Sequence, residues 1–298
     1  MRVLVTGGAG FLGSHLVDAL VERGDEVIVF DNFRRGHWRN LDGHLVARRI
    51  TVSTGDVRQY EAVLKAASGC EVVYHLAAQS NVMGGVRDTE YTFATNVIGT
   101  SNVLKATSER GVRRVIFASS REVYGEPDAI PVPECAPLRA KNAYGVSKVV
   151  GEACCRFWQG VHGLDCLVLR LVNVYGPRDM GRVIPLWLQR ARRGEDLVLF
   201  GGQQVLDFLW IGVAVQALIA SAECPNDGPV NIGSGRGVAL ARLAERILAL
   251  TRSTSVVGRC PARDPEVVRF VADVSRMRQV LGVEPPEDPL SHLTDLAM

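Results

Sequence analysis

The sequence predicts an α/β protein in which a doubly wound parallel sheet is followed by a smaller C-terminal α/β lobe. Short β-branched runs alternate with amphipathic helical patterns over about the first 175 residues. A glycine-rich loop connects the first strand to the first helix. After about residue 176 the helices are separated by turns that contain Gly and Pro and by short strands. Alternation at this spacing is typical of βαβ units with helices on both faces of a parallel sheet.

The first part of the chain provides six strands and four helices. The strands are short runs rich in β-branched and aromatic residues, and the helices repeat apolar residues every three to four positions. Strands are predicted at Val3–Val5, Glu26–Phe30, Ile50–Ser53, Val72–His75, Val115–Phe117 and Cys166–Leu171. Helices are predicted at Leu12–Glu22, Tyr60–Ala67, Asn96–Arg110 and Ala143–Gln159. We assign residues 1–175 to a first domain built on this sheet.

The second part of the chain has a different pattern of predicted secondary structure. Helices are predicted at Val183–Arg193, Val213–Glu223 and Ala239–Leu250, with short strands at Leu197–Phe200 and Val230–Ile232. A Pro-rich tail follows. No flexible linker or internal repeat separates the two parts. We therefore expect residues 176–298 to form a lobe that interleaves with the first domain and shares one cleft with it.

The composition argues against several functional classes. The 298 residues are 47% hydrophobic, and the formal net charge of +2 is too small to indicate a nucleic-acid or membrane partner. The seven cysteines form no Cys-x-x-Cys pair and no Cys/His ligand spacing. We therefore expect reduced thiols and no metal site. Neither a signal-peptide apolar region nor a membrane-spanning run is visible, so we predict a soluble, cytoplasmic protein.

The loop between the first strand and the first helix has the pattern of a dinucleotide-binding site. Gly7, Gly10 and Gly13 satisfy G-x-x-G-x-x-G, and the loop also contains G-x-G-x-x-G. Glycine lets the backbone turn tightly and approach a pyrophosphate, whose charge then rests on the helix N-terminus. Asp31 ends the second strand about 20 residues further on, where a carboxylate takes the ribose hydroxyls. The alternative is a structural turn followed by a surface Asp.

NAD is the cofactor expected in this Rossmann-type domain. The carboxylate of Asp31 would repel the 2′-phosphate of NADP, although Arg34 and Arg35 nearby leave NADP open. Further candidate contacts follow other strands, because open α/β sheets bind ligands at the carboxyl ends of their strands. They are Asp56, Val57, Leu76, Ala77 and Ala78. Asn96 opens a predicted helix, and a plain N-cap is the alternative for it.

A tyrosine and a lysine that follow the fifth strand in the sequence suggest a proton-transfer centre. Tyr144 and Lys148 are four residues apart, so on a helix they share one face. The chain has only four lysines, yet the pair alone could be a Tyr packed beside a snorkelling Lys. Ser119 and Ser120 follow the fifth strand and therefore lie at the same sheet edge as the cofactor.

Together these motifs resemble the extended short-chain dehydrogenase/reductase superfamily, specifically its nucleotide-sugar epimerase/dehydratase branch. They follow the family order over nearly the whole chain. The matching residues are the Gly7–Gly13 loop, Asp31-Asn32, Asp56-Val57, His75-Leu76-Ala77-Ala78-Gln79, Asn96-Val97-x-Gly99-Thr100, Ser119-Ser120 with Val123-Tyr124-Gly125, Tyr144-x-x-x-Lys148 and Asn173-Val174-Tyr175-Gly176-Pro177-Arg178. The resemblance implies NAD bound by Gly7, Gly10, Phe11, Leu12, Gly13, Asp31, Asn32, Asp56, Val57, Leu76, Ala77, Ala78, Gln79, Asn96, Ser119, Tyr144 and Lys148.

The resemblance also implies a reaction. Tyr144 is the expected proton-transfer base, Lys148 lowers its pKa and holds the nicotinamide ribose, and Ser120 bonds the reacting sugar oxygen. A phenol with a pKa near 10 is mostly protonated at neutral pH, and an adjacent ammonium favours the phenolate. Asn173 and Arg263 are the other expected substrate contacts. The expected activity is C4 epimerisation of a UDP-hexose through a transient 4-keto sugar. A homodimer packed through the helices near 96–110 and 143–159 is also expected.

Two departures from the family pattern leave the reaction open. Glu122 stands where 4-epimerases of this family usually carry small residues, and where 4,6-dehydratases and UDP-glucuronate decarboxylases carry Glu. A dehydratase or decarboxylase that uses Glu122 is therefore an alternative, as is a solvated or Arg-paired carboxylate with no catalytic role. Leu206 occupies the place of a diphosphate-binding Arg, which would leave more of that charge to Arg263. A non-catalytic NAD-binding protein is a further alternative.

Overall fold

The computed structural model describes residues 1–264 and 266–297. The strands are β1 (Arg2–Thr6), β2 (Glu26–Asp31), β3 (Ile50–Thr54), β4 (Val72–His75), β5 (Arg114–Ser120), β6 (Asp165–Leu171), β7 (Asn173–Tyr175), β8 (Leu197–Phe200), β9 (Val205–Trp210), β10 (Val230–Ile232), β11 (Gly237–Ala239), β12 (Val257–Cys260) and β13 (Arg269–Phe270). The α-helices are α1 (Phe11–Glu22), α2 (Asp42–Val46), α3 (Tyr60–Ala66), α4 (Val82–Arg87), α5 (Thr89–Phe93), α6 (Gly99–Glu109), α7 (Ala143–His162), α8 (Val183–Arg192), α9 (Ile211–Ala220), α10 (Leu240–Thr251) and α11 (Ser275–Leu281).

Seven strands form one parallel sheet in the order β10-β6-β5-β4-β1-β2-β3. The strand order reverses at β1, with β2 and β3 on one side and β4 to β6 on the other. At this point the Thr6 hydroxyl and His75 Nδ1 are hydrogen-bonded at 2.8 Å. Open α/β sheets bind ligands outside the carboxyl ends of their strands at such a switch point. The predicted Rossmann-type sheet is confirmed.

The central strand β1 contributes to two separate cores. Val3 and Val5 pack with α1, α9 and α11 on one face of the sheet, and Leu4 packs with α3, α6 and α7 on the other. This follows from the two-residue repeat of a strand, whose successive side chains point to opposite faces. Because helices cover both faces, β1 is apolar and buried at three successive residues from Val3 to Val5, as strands of parallel sheets usually are.

Segments beyond residue 176 build two small sheets and also return to the main one. β7, β9, β11 and β13 form a mixed sheet, and β8 pairs with β12. β10 instead pairs with β6 at the edge of the main sheet, and α9 packs beside α1. The sequence pattern gives this strand its bounds but not its pairing partner, which lies about 60 residues away along the chain. The division at residue 175 remains a prediction.

The predicted helix Asn96–Arg110 starts differently from the expectation. A π-helical turn covers Ala94–Ile98, and α6 begins only at Gly99. Among the helices of residues 1–264 and 266–297, none is long and apolar enough to cross a membrane. The homodimer and the cytoplasmic location remain predictions.

Candidate active site

A cavity of about 900 Å³ follows the carboxyl ends of the main-sheet strands and extends into the second lobe. The glycine loop, the ends of β2, β4 and β5, and two side chains of α7 line it on one side. Residues of α8, β8 and β9 and Arg263 line it on the other. Every predicted site residue lines this cavity except Asp56 and Asn96. The fold therefore brings the predicted cofactor, catalytic and substrate residues to one place.

The glycine loop is packed so tightly that side chains could not be added at two of its positions. Gly7 has a φ of +73°, and a Cβ built there would lie 2.8 Å from the backbone N of Ala77. A Cβ on Gly13 would lie 2.1 Å from the carbonyl oxygen of Gly7. Without these side chains the backbone before α1 stays open to the cavity. This arrangement fits a pyrophosphate held by backbone N–H groups at a helix N-terminus.

Asp31 connects the end of β2 to the glycine loop. Its carboxylate accepts hydrogen bonds from the backbone N–H of Ala9 (3.0 Å) and of Phe33 (2.8 Å). Burial raises the pKa of Asp31, although these backbone hydrogen bonds oppose the shift. Asp31 lines the cavity from this fixed position, where the resemblance expects a ribose contact.

Asp56 lies behind the cavity wall. Its carboxylate accepts from Arg58 Nε (2.9 Å) and Nη2 (2.8 Å) and from Asn32 Nδ2 (2.8 Å). Burial alone would raise the pKa of Asp56, but the bonds from Arg58 and Asn32 outweigh it and lower the pKa to about 2. Asp56 thus holds Asn32, which does line the cavity. Its direct contact with the cofactor remains a prediction.

Asn96 also lies behind the wall, inside the π-helical turn, so the plain N-cap alternative is wrong. Its Oδ1 accepts from the backbone N of Gln79 (2.8 Å), and its Nδ2 donates to Ser147 Oγ (2.9 Å). These bonds connect the loop after β4 to α7. Asn96 therefore supports Gln79 in the cavity wall, and its own cofactor contact remains a prediction.

Three side chains converge where β5 ends and α7 begins. Ser120 is the last residue of β5, and its hydroxyl faces the Tyr144 phenol, whose pKa it lowers. One turn further along α7, Lys148 Nζ donates to the carbonyl of Ala118 at 2.7 Å and lies 5.9 Å from the Tyr144 ring centroid. Tyr144 and Lys148 are thus on one face of a helix, as their spacing predicts.

Ser119 has a different environment from its neighbour. Its hydroxyl donates to Glu152 Oε1 at 2.6 Å, and Glu152 is in turn paired with Arg170. All three side chains are buried. Ser119 therefore anchors the end of β5 to α7, while Ser120 faces Tyr144.

Burial perturbs both members of the Tyr–Lys pair. Burial raises the pKa of Tyr144, while the hydrogen bond from Ser120 and the charge of Arg182 lower it. Burial lowers the pKa of Lys148 to about 8. Both groups are therefore destabilised in their charged forms, and further positive charge near Tyr144 favours its phenolate form.

The shift at Lys148 gives a testable pH dependence of stability. The pKa is lower in the folded protein (about 8) than the ordinary lysine value of 10.5, so the unfolded chain binds the extra proton between these values. The stability of the cofactor-free wild type should therefore rise with pH over this window relative to Lys148→Met, by up to about 3 kcal/mol. Denaturant unfolding of both proteins from pH 7 to pH 10.5 measures the difference. A constant difference would contradict the shift.

Glu122 is buried and paired rather than solvated. Its Oε1 lies 2.9 Å from Arg121 Nη2, and its Oε2 accepts from Asn142 Nδ2 at 2.8 Å. The structure therefore places it in the Arg-paired state that the sequence leaves open. Glu122 still belongs to the cavity lining, and its catalytic role remains a prediction.

The side of the cavity that the second lobe forms combines an apolar surface with an arginine stacked on an aromatic ring. Leu206 is buried with the core of this lobe. The guanidinium of Arg263 lies 3.5 Å from the centroid of the Phe200 ring and 3.5 Å from Glu266. Asn173, at the start of β7, donates to the carbonyl of Asp207 at 2.9 Å. Arg263 and Asn173 are thus positioned at the cavity, as the resemblance expects of substrate contacts.

One charged pair in the cavity wall is absent from the residues predicted from the sequence. Asp179 and Arg182 are 3.1 Å apart in the segment before α8, and the charge of Arg182 acts on Tyr144. Asp179 Oδ2 is buried and has no hydrogen-bond partner among the described residues. No motif marks this pair, and its only signal is the position of Arg182 directly before a predicted helix.

Comparison with known proteins agrees with this geometry. The model of the NAD dependent epimerase/dehydratase family matches residues 3–233. The chain is 33% identical over 293 residues to a putative UDP-glucose 4-epimerase from Methanocaldococcus jannaschii, covering 96% of this chain and 94% of that protein. It is 33% identical over 295 residues to UDP-glucuronic acid decarboxylase 3 of Arabidopsis thaliana, covering 96% and 84%.

A solved structure shows the same likeness. UDP-glucose 4-epimerase from Thermotoga maritima, crystallised with UDP-glucose, has a TM-score of 0.93 to this chain at 33% identity. The match covers 100% of this chain and 96% of that one. The chain therefore belongs to the NAD-dependent epimerase/dehydratase family of nucleotide-sugar enzymes, within the extended short-chain dehydrogenases/reductases, and its cofactor is NAD.

Proposed function

We propose that this protein is a nucleotide-sugar C4 epimerase that acts on a UDP-hexose. The observation that carries the proposal is that the Ser120 hydroxyl, the Tyr144 phenol and the buried Lys148 line one cavity, with Lys148 Nζ 5.9 Å from the Tyr144 ring centroid. A phenol, a hydroxyl and an ammonium at the carboxyl edge of the sheet can hold a secondary alcohol and take its proton. The cavity reaches from this point into the second lobe, which gives a nucleotide room beyond the sugar.

In the proposed reaction Tyr144 removes the proton of the sugar 4-hydroxyl, and Ser120 holds the same oxygen by a hydrogen bond. Bound NAD would supply reversible hydride transfer at C4, and its positive nicotinamide would favour the phenolate form of Tyr144. Tyr144 then gives the proton back to the oxygen of the epimerised sugar. Among the protein groups, the glycine loop holds the pyrophosphate, Asp31 the adenosine ribose and Lys148 the nicotinamide ribose.

A UDP-sugar is favoured by the relatives and by the second-lobe wall. The Thermotoga maritima enzyme was crystallised with UDP-glucose. Arg263 offers a guanidinium to the diphosphate, and guanidinium groups can bond phosphate oxygens bidentately. Leu206 supplies an apolar contact where a second Arg is expected, so we expect diphosphate binding to depend strongly on Arg263.

A dehydratase or decarboxylase is the second candidate. The buried Glu122 at the cavity and the similarity to an Arabidopsis thaliana UDP-glucuronic acid decarboxylase favour it. Such an enzyme would begin with the same oxidation at C4 and then break a bond at C5 or C6. The two candidates therefore differ in their products and not in their first step.

Incubation with a panel of UDP-, dTDP- and GDP-sugars, with products identified by NMR, separates the candidates. The proposal expects inversion at C4 with all ring and side-chain carbons retained. A deoxy-keto sugar or a pentose as the accumulating product would contradict it. If none of the sugar nucleotides bound, a non-catalytic NAD-binding protein would become the better interpretation.

A further inference from the structure

We infer that Glu122 is a positioning residue, which fixes the helix of the reactive Tyr144 and does not exchange a proton with the sugar. The inference rests on the proposed function, because it explains how an epimerase can carry a carboxylate beside its reacting tyrosine. The two oxygens of Glu122 are held by Arg121 and Asn142, and the residue is 4% exposed. Each oxygen of this carboxylate is thus engaged by a protein donor at the edge of the cavity.

One oxygen of Glu122 is connected to the start of α7. Asn142 is the N-cap of this helix, and its Oδ1 accepts from the backbone N of Gly145 at 2.8 Å. Its Nδ2 donates to Glu122 at 2.8 Å. One amide group therefore binds the helix N-terminus and Glu122 at the same time. Tyr144 lies two residues after this cap, so a change at Glu122 is transmitted to the tyrosine through only one side chain.

The backbone packing at this place leaves little freedom. A Cβ built on Gly145 would lie 2.5 Å from the carbonyl oxygen of Glu122. The first turn of α7 therefore rests directly on the segment that follows Ser120. The segment that follows Ser120 and the helical turn that carries Tyr144 are thus in direct backbone contact.

The other oxygen of Glu122 is connected, through Arg121, to the second lobe. Arg121 Nη2 bonds Glu122 at 2.9 Å and lies 3.5 Å from Asn173 Oδ1. Asn173 also donates to the carbonyl of Asp207 on β9. The chain Asn142–Glu122–Arg121–Asn173 therefore joins the tyrosine helix to the wall where we expect the substrate. Loss of its central carboxylate should disturb the alignment of Tyr144 more than the binding of the nucleotide.

A polarity swap tests this role directly. In Glu122→Gln the new amide NH₂ must face the guanidinium of Arg121 or the NH₂ of Asn142, so two donors meet. In Asn142→Asp a carboxylate oxygen faces the carboxylate of Glu122, although Asp is still a good N-cap. In the double variant Glu122→Gln/Asn142→Asp the introduced amide would donate to the introduced carboxylate and accept from Arg121. The bonds of residue 122 to Arg121 and to residue 142 and the cap bond to Gly145 are then restored, with the donor and acceptor between residues 122 and 142 exchanged and the total charge unchanged.

We expect each single variant to lower kcat by about 10- to 100-fold with KM within about 3-fold, because misalignment of the reacting groups costs rate rather than binding. The double variant should recover kcat to within about 5-fold of the wild type. Asp128→Asn is the matched control, since Asp128 is an exposed acid of the same loop that pairs with Arg139. It should behave as the wild type. Thermal unfolding of all variants shows whether each one is folded.

The experiment also includes a measurement whose result would differ if Glu122 acted as a base. In D₂O a proton-abstracting Glu122 would place deuterium at C5 of the recovered sugar, and we expect none there from the wild type. If the wild type placed deuterium at C5 and Glu122→Gln did not, the inference would be wrong. A folded double variant as slow as Glu122→Gln would also overturn it, because a Gln cannot act as a base but can restore a hydrogen bond.

Failure of the inference and failure of the proposed function are distinguishable. The product of the wild-type reaction decides whether the protein is an epimerase, and it does not depend on any variant. The rescue pattern decides the role of Glu122 for whichever product is formed. A pentose product with rescue would reject the epimerase and keep the positioning role.

Discussion

Replacing Tyr144 with Phe is expected to lower kcat by about 10²- to 10⁴-fold, the range typical for loss of a positioned proton-transfer group. The substitution keeps the ring and removes only the hydroxyl that bonds Ser120. Because Phe conserves the packing at the cavity wall, KM for the sugar nucleotide should change by only a few-fold. Steady-state kinetics with the substrate found in the panel measure both quantities.

Tyr60→Phe provides the matched control. Tyr60 lies on α3, outside the cavity, and its hydroxyl is bonded to Glu109 at the surface. Loss of a hydroxyl there should leave kcat unchanged. If Tyr144→Phe retained full turnover, the assignment of Tyr144 as the base would be wrong, and a water or another side chain would have to take the proton.

Replacing Arg170 with Met is expected to destabilise the protein by about 3–5 kcal/mol. Arg170 and Glu152 form a buried ion pair, with 2.7 Å between Nη2 and Oε2 and 2.9 Å between Nε and Oε1. Their side chains are 4% and 1% exposed. Methionine keeps much of the volume but leaves the carboxylate of Glu152 buried without its cation. Urea unfolding of the variant and the wild type measures the loss of free energy.

The double variant Arg170→Met/Glu152→Leu should lose less stability than Arg170→Met alone, because it leaves no buried charge unpaired. Arg246→Met is the surface control, since Arg246 pairs with Asp288 at 2.8 Å with both side chains substantially exposed. Its loss should cost at most about 1 kcal/mol. Equal costs for Arg170→Met and Arg246→Met would show that burial of the first pair does not matter.

Most of the first domain could be predicted from the sequence because its signals are local. The strand at Val72–His75 has the same bounds in prediction and structure, and others differ by one to three residues at an end. β10 shows where local signals stop being sufficient. Its bounds are predictable, but its place beside β6 depends on a pairing between distant segments. The predicted helix start at Asn96 lies instead within a π-helical turn, where the residue bonds Gln79 and Ser147, neither of which is near in sequence.

The candidate site shows the same division. Sequence spacing is sufficient to place Tyr144 and Lys148 on one helical face, since this depends only on the helical repeat. The hydrogen bond between Tyr144 and Ser120 joins residues 24 positions apart and requires the tertiary packing of α7 on β5. Asp179 and Arg182 belong to no sequence motif and become recognisable only when the second lobe covers the cavity.

The sequence by itself determined the fold class, and it predicted an NAD-binding loop and a catalytic Tyr–Lys pair. These follow from local periodicity, from glycines that only a close backbone approach requires, and from residues that share a helical face. The tertiary structure decided the surroundings of Glu122, for which the sequence left three possibilities. Its bonds to Arg121 and to Asn142, 20 residues further along the chain, place it in a buried hydrogen-bond chain. The bond to Asn142 depends on which segments meet in space, and no local pattern in the chain encodes it.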